Sequence, residues 1–210
     1  MKVVILPNDT KLADEGIKDA MIKVGGIPVF FHVIMMFEKR GFTDFIICDT
    51  SSTHDIRDYL NANRDMITGI NVRLLKLPSY LKNGKILSIC EKYGLENAFF
   101  VAPNDVITDL DPEKMLYAHR QSGMASTVFV AEERFYLCAL DSEREGKYES
   151  KMINTGIYLF EPEAIDYMLG NSQIENEALI RLAEDGELNV YSADNFMQRA
   201  NSAATDGEKK

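Results

Sequence analysis

The sequence is poor in cysteine, and its cysteines are not spaced for disulfide bonds or for zinc. Cys48, Cys90 and Cys138 are its three cysteines, each stands singly within an apolar segment, and no CxxC spacing occurs. Disulfide-stabilised extracellular domains carry more cysteines, usually in even numbers, and structural zinc sites need closely spaced Cys and His. We therefore expect buried free thiols in the reducing environment of the cytoplasm.

Long apolar runs and an excess of positive charge are also absent. No apolar run in the sequence is long enough to span a membrane, and the first residues, MKVVILPND, lack the features of a signal peptide. The formal net charge is −10. Because nonspecific binding to nucleic acids and anionic membranes requires clustered Lys and Arg, we expect neither as a partner.

Fingerprints of common nucleotide-binding and hydrolase sites are absent as well. The sequence contains no Walker motif, no GxGxxG and no GxSxG. The loop after the first apolar run has no glycine before Gly16, and it carries Asp9, which would repel a phosphate. By its composition this loop is a poor phosphate cradle.

The first part of the chain instead shows an alternation of strand and helix patterns. Short connections between such patterns are typical of a doubly wound sheet, so we predict an α/β fold with a mostly parallel central sheet and helices on both faces. The strand patterns fall at 2–6, 43–48, 70–77 and 99–103, and the helix patterns at 29–41, 53–63 and 81–93.

The second part of the chain mixes shorter patterns. Strands are predicted at 125–131, 135–140, 153–160 and 188–191, helices at 163–169 and 175–183, and a charged loop or hairpin at 141–151. No internal repeat, low-complexity tract or linker divides the chain of 210 residues. We expect one domain over residues 1–201 and a flexible, polar tail over residues 202–210.

The segment FFVAPNDVITDLD, residues 99–111, is the first candidate for a functional site. Its apolar run predicts a strand buried on both faces, and Asn104 and Asp105 follow directly. Open α/β sheets bind ligands at the carboxyl ends of their strands. Asp105 is therefore a candidate ligand for a metal or phosphate, although it would serve equally well as a turn residue. Asp111 and Pro112 then predict the start of a helix.

Five stretches of the sequence, taken in order, resemble the sugar-1-phosphate nucleotidyltransferases. They are MKVVILPND, DAMIKVGGIPVFFHVIMMFEKRGFTDFIICD, FFVAPNDVITDLD, MINTGIYLFEPEAIDYM and LIRLAEDGELNVYSADNF. Within that family the resemblance is to the glucose-1-phosphate cytidylyltransferases, and it extends to about Ser202. It implies a Rossmann-like nucleotidyltransferase fold and, with Mg²⁺ if the protein is active, the conversion of CTP and glucose 1-phosphate to CDP-glucose and pyrophosphate.

The resemblance places the nucleotide in and around the first loop. The family's Gly-Gly-x-Gly-Thr-Arg-Leu loop is reduced here to Thr10-Lys11-Leu12, with Lys11 at the arginine position. Asp19 stands where the family has a lysine on the triphosphate, so Lys18 or Lys23 would have to replace it. The catalytic and nucleotide-binding residues implied in this way are Lys11, Lys18, Asp105, Leu6, Pro7, Asn8, Thr10, Lys23 and Asn104.

The resemblance also implies a metal site with one of its two carboxylates lost. Asp105 matches the family's first metal-binding aspartate, and the second falls on Asn201. An amide oxygen is a weaker ligand for Mg²⁺ than a carboxylate. The implied metal ligands are therefore Asp105 and Asn201.

The resemblance implies that the sugar phosphate binds near the predicted strand 153–160. Asn154, Thr155 and Gly156 match the family's Asn-Gly-Gly with its first glycine lost, and Lys147 or Lys151 is the nearest match to the lysine of its Glu-Lys-Pro motif. Loss of one group that stabilises the transition state costs on the order of 3 kcal/mol, so several losses at one charge centre would leave little activity.

Three interpretations of the sequence follow. The first is a cytidylyltransferase-like protein with weak or lost activity that still binds a nucleotide or sugar phosphate, or pairs with an active paralogue as a regulatory subunit. The second is an active, divergent nucleotidyltransferase of nucleotide-sugar synthesis. The third is an interaction module without a ligand. The family's tendency to form homo-oligomers makes self-association an expectation from the resemblance alone.

Overall fold

Seven strands form the central sheet in the computed structural model, which describes residues 1–7, 20–50, 54–136, 148–193 and 197–199. The strands are β1 (Lys2–Leu6), β2 (Asp44–Asp49), β3 (Asn71–Lys76), β4 (Phe99–Pro103), β5 (Ser126–Tyr136), β6 (Tyr148–Phe160) and β7 (Leu188–Ser192). Their spatial order is β7-β5-β6-β4-β1-β2-β3. All neighbouring pairs are parallel except those of β6, which runs antiparallel to both β4 and β5.

Helices cover both faces of this sheet, which confirms the predicted fold class. They are α1 (Val29–Glu38), α2 (Asp55–Ala62), α3 (Asn83–Cys90), α4 (Pro112–Ser122) and α5 (Leu179–Glu184). Single 3₁₀ turns occur at Arg64–Ile67, Glu91–Tyr93 and Pro162–Tyr167, and a π-helical turn at Ile174–Ala178 leads into α5. Two short antiparallel pairs complete the described elements, Lys23–Val24 with Ile27–Pro28 and Val106–Thr108 with Met197–Arg199.

The two faces of the sheet bury separate hydrophobic cores. Successive residues of a strand point to opposite faces, so Val3 and Ile5 contact the core beneath α1, whereas Val4 and Leu6 contact the core beneath α3. Both cores are built from side chains with almost no exposed surface. This burial on both sides explains why β1, β2 and β4 are continuous apolar runs in the sequence.

Local signals predicted the start of α4 correctly. Asp111 is the N-cap, and its carboxylate accepts a hydrogen bond of 3.1 Å from the backbone N–H of Glu113. Pro112 occupies the first turn, where its missing N–H costs nothing. The helix ends at Gly123, whose φ of +65° is readily adopted only by glycine.

The strands of the second part of the chain are longer than predicted. One strand, β5, replaces the predicted pair 125–131 and 135–140, and β6 begins at Tyr148, inside the predicted loop 141–151. The reason is a long antiparallel ladder that continues to the pair Tyr136 and Tyr148. Backbone hydrogen bonding with the neighbouring strand thus overrides the polar composition of these segments. Residues 137–147 lie outside the described part of the chain.

Two of the predicted helices are also different in kind. The helix predicted at 163–169 is the 3₁₀ turn Pro162–Tyr167, and the helix predicted at 175–183 starts with the π-helical turn. The start of the π-helical turn is held from outside the helix, because the backbone N–H of Ile174 donates to the side-chain oxygen of Asn83 at 2.8 Å. The single-domain assignment stays a prediction, and the predicted tail lies outside the described residues.

The buried thiols expected from the sequence are confirmed for two cysteines. Cys48 at the end of β2 and Cys90 at the end of α3 are buried and free, with their sulfur atoms 3.4 Å apart. The hydrogen bond with Cys90 and burial both raise the pKa of the Cys48 thiol. A buried thiol with a raised pKa is a poor nucleophile, so the pair contributes to packing. Cys138 lies outside the described residues.

None of the described helices has the length and apolarity to cross a membrane.

His119 links α4 to the sheet as a buried, neutral imidazole. Its Nε2–H donates to Glu161 at 3.2 Å, because a carboxylate only accepts, and its Nδ1 therefore accepts from the Thr127 hydroxyl at 2.8 Å. Burial lowers the pKa of His119, although the hydrogen bond and charge of Glu161 act in the opposite direction. The fold consequently favours the uncharged form of this side chain.

We predict that His119 makes the stability of the protein sensitive to mild acid. An unfolded histidine has a pKa of about 6.5, and the folded one has a lower pKa, so its contribution is present above that value and is lost as the pH falls below it. Urea unfolding between about pH 7.5 and pH 5.5 should show a larger loss of free energy in the wild type than in His119→Gln. Equal losses would show that His119 does not carry this dependence.

Candidate functional site

The carboxyl ends of β1 and β4 lie side by side in the middle of the sheet. Leu6 pairs with Pro103, and the backbone N–H of Asn104 donates to the carbonyl of Leu6 at 2.9 Å. Because β6 runs in the opposite direction, its earlier residues Asn154 and Gly156 reach the same edge. The site is therefore formed by the ends of two parallel strands and the middle of an antiparallel one.

A pocket of about 250 Å³ opens at this edge. Its floor is made by the ends of β1 and β4 with Asn154, Gly156 and Tyr158 of β6, and its other wall by Asn83 and residues 173–176. The predicted residues Leu6 and Pro7 both line it. The pocket thus occupies the position in the fold where open α/β sheets bind ligands.

Asp105 lies where the sequence analysis placed it, immediately beyond β4. Asn104 and Asp105 form the turn between β4 and the short strand Val106–Thr108, and Asp105 has no exposed surface. Asn104 is 4% exposed, and its side-chain oxygen has no hydrogen-bond partner. A buried oxygen of this kind costs free energy unless a ligand satisfies it. Both residues lie at the predicted edge of the sheet, but neither lines the pocket, so the role of Asp105 as a ligand stays a prediction.

The three residues of the predicted sugar-phosphate motif do not all lie on the same face of β6. Asn154 and Gly156 line the pocket, whereas Thr155 is buried on the other face, where its hydroxyl donates to the carbonyl of Phe129 at 2.8 Å. Gly156 has a φ of +83°, and a Cβ at this position would lie 3.2 Å from a side-chain carbon of Pro103. Glycine is favoured here because an L side chain would be strained at this φ and its Cβ would press against Pro103.

Of the predicted lysines, Lys23 is the one whose side chain lies within the described part of the structure. It is exposed in the short hairpin before α1 and does not line the pocket. Lys151 belongs to β6, where its backbone pairs with Glu133. The remaining predicted site residues lie outside the described residues, namely Asn8, Thr10, Lys11, Lys18, Lys147 and Asn201.

A hydrogen-bond network on the pocket wall was not predicted from the sequence. The hydroxyl of Tyr158 donates to the carboxylate of Glu175 at 3.0 Å, and the side-chain N–H of Asn83 donates to its other oxygen at 3.1 Å. Tyr158 could have been predicted from the sequence, because alternate residues of a strand share one face and Tyr158 therefore lies on the same face as Asn154 and Gly156. Asn83 and Glu175 are 92 residues apart, and no local pattern connects them.

A divalent cation fits this site only if its ligand completes the coordination. Within the described ranges, no group of three or more His, Cys, Asp or Glu side chains is arranged to hold a metal ion. Mg²⁺ usually binds through one or two carboxylates together with water and substrate phosphates. Asp105 has no exposed surface, neither it nor Asn104 lines the pocket, and the side-chain oxygen of Asn104 is buried without a hydrogen-bond partner. Binding of Mg²⁺ at these two residues therefore stays a prediction.

Comparison with curated proteins gives relatives that extend over nearly the whole chain, although the sequence matches no family model. The glucose-1-phosphate cytidylyltransferase of Salmonella typhimurium is 26% identical, and the alignment covers 94% of this chain and 90% of that protein. The chain is similar to the sugar-1-phosphate nucleotidyltransferases. The probable glucose-1-phosphate cytidylyltransferase of Bacillus subtilis is 25% identical over 91% of this chain and 87% of its own length.

Other nucleotidyltransferase relatives differ in base and sugar. Mannose-1-phosphate guanyltransferase beta-A of Xenopus laevis is 24% identical over 80% of this chain, which corresponds to 51% of that longer protein. Relatives of both kinds therefore match the same region of this chain, and the comparison does not select one nucleotide.

Two solved structures share the fold over nearly the whole chain. HddC from Yersinia pseudotuberculosis has a TM-score of 0.74 at 17% identity, and the match covers 99% of both chains. A putative glucose-1-phosphate thymidylyltransferase from Bacillus anthracis has a TM-score of 0.67 at 15% identity and covers 100% of this chain and 96% of its own. The Rossmann-like nucleotidyltransferase fold implied by the resemblance is thereby confirmed.

The wall of the pocket that carries Glu175 is held in place by a close contact at Gly84. The backbone N–H of Gly84 donates to the carbonyl of Ser172 at 3.1 Å. A Cβ on Gly84 would lie 2.7 Å from that same oxygen, which is too short for any carbon–oxygen contact. The beginning of α3 and residues 172–176 can therefore adopt this arrangement only with glycine at this position.

We predict that Gly84→Ala destabilises the fold and disturbs the pocket. Insertion of a methyl group into a closed contact costs about 1–3 kcal/mol of unfolding free energy, measurable by urea denaturation. Lys114→Ala, on the exposed side of α4, is a control expected to change stability by less than about 0.5 kcal/mol. Addition of Ser172→Ala removes the side-chain hydroxyl, which would lie 2.9 Å from the new Cβ, but it should not rescue the variant fully, because the closer clash is with the backbone oxygen. A nearly neutral Gly84→Ala would contradict the close contact.

Proposed function

We propose that this protein binds a sugar 1-phosphate and a nucleoside triphosphate at the carboxyl edge of its sheet, and that its nucleotidyl transfer activity is weak or lost. The supporting observation is a polar pocket at the carboxyl ends of β1 and β4 that is lined by Asn154 and Gly156. Asp105 follows β4 directly but is fully buried, and among the described residues no three His, Cys, Asp or Glu side chains are arranged to hold a metal ion.

The family's reaction explains why loss of charge-stabilising groups would reduce activity. In an in-line displacement at the α-phosphate, the enzyme positions the two substrates and stabilises the negative charge of the transition state. Mg²⁺, where it is bound, supplies part of that stabilisation through the phosphates. Asp105 would hold the ion, and the pocket formed by Asn154 and Gly156 would hold the sugar.

Three replacements in the sequence weaken the stabilisation of charge. Lys11 in place of an arginine keeps the positive charge but loses the planar fork that binds a phosphate through two hydrogen bonds. Asp19 in place of a lysine adds a negative charge, and Asn201 in place of an aspartate weakens the metal site. Losses of about 3 kcal/mol each would slow transfer by several orders of magnitude.

A second function is favoured by the preserved geometry of the pocket. According to this second proposal, the protein is an active, divergent nucleotidyltransferase that acts on an unusual substrate. Its functional residues would be Lys11, Asp105, Asn201 and a displaced lysine such as Lys18. The base and the sugar are open in both proposals, since the relatives named above include cytidylyl- and guanylyltransferases. Pairing with an active paralogue would give the first proposal a regulatory role. An interaction module without a ligand is less favoured, because it would not require a polar pocket.

We predict that the purified protein binds at least one sugar 1-phosphate or nucleoside triphosphate with submillimolar affinity by calorimetry. Its release of pyrophosphate, measured with Mg²⁺, each nucleoside triphosphate and a panel of sugar 1-phosphates, should stay below about 1 s⁻¹, an ordinary enzyme value. Asn201→Asp should raise the rate, because it restores the second carboxylate. Turnover above this value in the wild type would favour the active enzyme, and absence of all binding would favour the interaction module.

We also predict that Asp105→Asn abolishes the Mg²⁺-dependent part of nucleotide binding. The amide keeps the size of the side chain but removes the charge that attracts the ion. Calorimetry with and without Mg²⁺ measures this part directly. Asp109→Asn, four residues further on and exposed to solvent, is the matched control and should leave binding unchanged. An unchanged response of Asp105→Asn to Mg²⁺ would show that the assignment of the metal site is wrong.

A further inference from the structure

The strand β7 forms one edge of the central sheet. It pairs in parallel with β5 on its inner side, and among the described residues no strand pairs with its outer side. The carbonyl of Glu187 accepts a hydrogen bond of 3.0 Å from the backbone N–H of Ser126, so alternate residues from 187 onward direct their backbone groups to β5. Leu188, Val190 and Ser192 therefore direct their N–H and C=O groups outward, where another strand can pair with them.

The two edges of the sheet differ in how well they resist such pairing. Edge strands that stay unpaired are commonly protected by charged side chains, proline or a bulge. The opposite edge, β3, contains Arg73 and Lys76. The sequence of β7, LNVYS, has no charge and no proline, and its register with β5 is regular. Val190, in the middle of β7, is 56% exposed. Of the two edges, β7 is thus the one that lacks protection.

The outward-facing residues of β7 are complementary to a second copy of themselves. They are symmetric about Val190, so an antiparallel copy places Val190 opposite Val190 of the second copy and Leu188 opposite Ser192 of the second copy. In such pairs the two residues exchange both of their backbone hydrogen bonds. This is the register that satisfies all of the outward-facing backbone groups of the strand, and it also gives the exposed Val190 an apolar neighbour.

Charge does not oppose this register within the strands. Like charges directly opposite one another destabilise a strand pair, but residues 188–192 are uncharged. The register also places Glu187, which precedes the strand, opposite the uncharged Ala193 of the second copy. The net charge of −10 therefore acts only at longer range, where salt screens it.

The helices beside β7 would extend the contact. The apolar side of α4 packs in the same core as Tyr191 of β7, and the apolar side of α5 packs in the core that contains Leu188, so one helix lies on each face of the sheet. Pairing through β7 brings each helix towards its counterpart in the second copy. This extension is needed, since a stable interface buries about 800 Å² per partner, more than a strand of this length supplies.

We propose that the outer edge of β7 is the interaction surface for a second copy of this chain, which pairs with it antiparallel about a twofold axis at Val190. The two central sheets then form one continuous sheet. The proposal goes beyond the proposed function and does not depend on it, because no residue of β7 lines the pocket.

Sedimentation velocity of the full chain in about 0.15 M salt, where charges more than about 8 Å apart are screened, tests the proposal. The wild type should change from monomer to dimer between about 1 and 100 μM. Val190→Lys and Val190→Glu each place like charges opposite one another at the twofold axis and should raise the dissociation constant at least about 10-fold. The control is Met66→Lys, which alters an apolar side chain of similar exposure, 49%, in the turn after α2 and should behave as the wild type does.

An equimolar mixture of Val190→Lys and Val190→Glu tests the register itself. In a mixed dimer the two opposite charges face each other, so the mixture should dimerise about 10-fold more tightly than either variant alone. A contact in which the two copies of residue 190 are far apart would give no such recovery. Urea unfolding of both variants shows that they are folded, as expected for substitutions at an exposed position.

Hydrogen exchange of single backbone amides provides a test without any substitution. In the wild type the N–H groups of Leu188, Val190 and Ser192 should exchange slowly at high protein concentration and rapidly on dilution. The N–H groups of Asn189 and Tyr191, which face β5, should be protected at both concentrations.

Four outcomes would overturn the proposal. They are a wild type that is monomeric up to about 100 μM, a dimer that survives in both Val190 variants, a mixture of these variants that does not recover dimerisation, and a monomer whose outward amides are already protected. The last result would show that another part of the same chain covers β7. Dimerisation that is lost in each variant and recovered in the mixture supports the proposal.

Discussion

The reversed direction of β6 is the constraint on which the candidate site depends. If β6 ran parallel to its neighbours, it would present its last residues at the carboxyl edge, and these are Leu159 and Phe160, both buried in the core. Because it runs antiparallel, Asn154 and Gly156 reach the edge beside Pro103, and Tyr158 follows on the same face. The close approach at Gly156 then allows β6 to stay paired with β4 without a side chain between them.

This arrangement separates two kinds of polar group at one edge of the sheet. Asp105 is buried directly beyond β4 and does not line the pocket, whereas Glu175 stands on the pocket wall, carried by a helical turn from much later in the chain. The two carboxylates are therefore in different surroundings, since Asp105 is enclosed by the protein and Glu175 accepts hydrogen bonds from the neutral side chains of Tyr158 and Asn83.

The parts of the structure that were predictable from sequence are those governed by nearby residues. The apolar run Phe99–Pro103 and the cap at Asp111 are local signals, and both were correct. The length of the β5–β6 ladder was not predictable, because backbone pairing between the two strands extends the ladder into segments of polar composition. At the site, Asn154 and Gly156 were found through resemblance, but Glu175 was missed, since its partner Asn83 is far away in sequence.

The docking of residues 172–176 on α3 has a consequence for how the protein is made. Asn83 is synthesised long before Ile174 and Glu175, yet its hydrogen bonds with these two residues form only when that segment arrives. Contacts between such distant positions form late, because the intervening chain must first be ordered. During translation the early strands would already be able to pair, while one side of the cleft is still inside the ribosome. The pocket is thus completed near the end of synthesis, after most of the scaffold has taken shape.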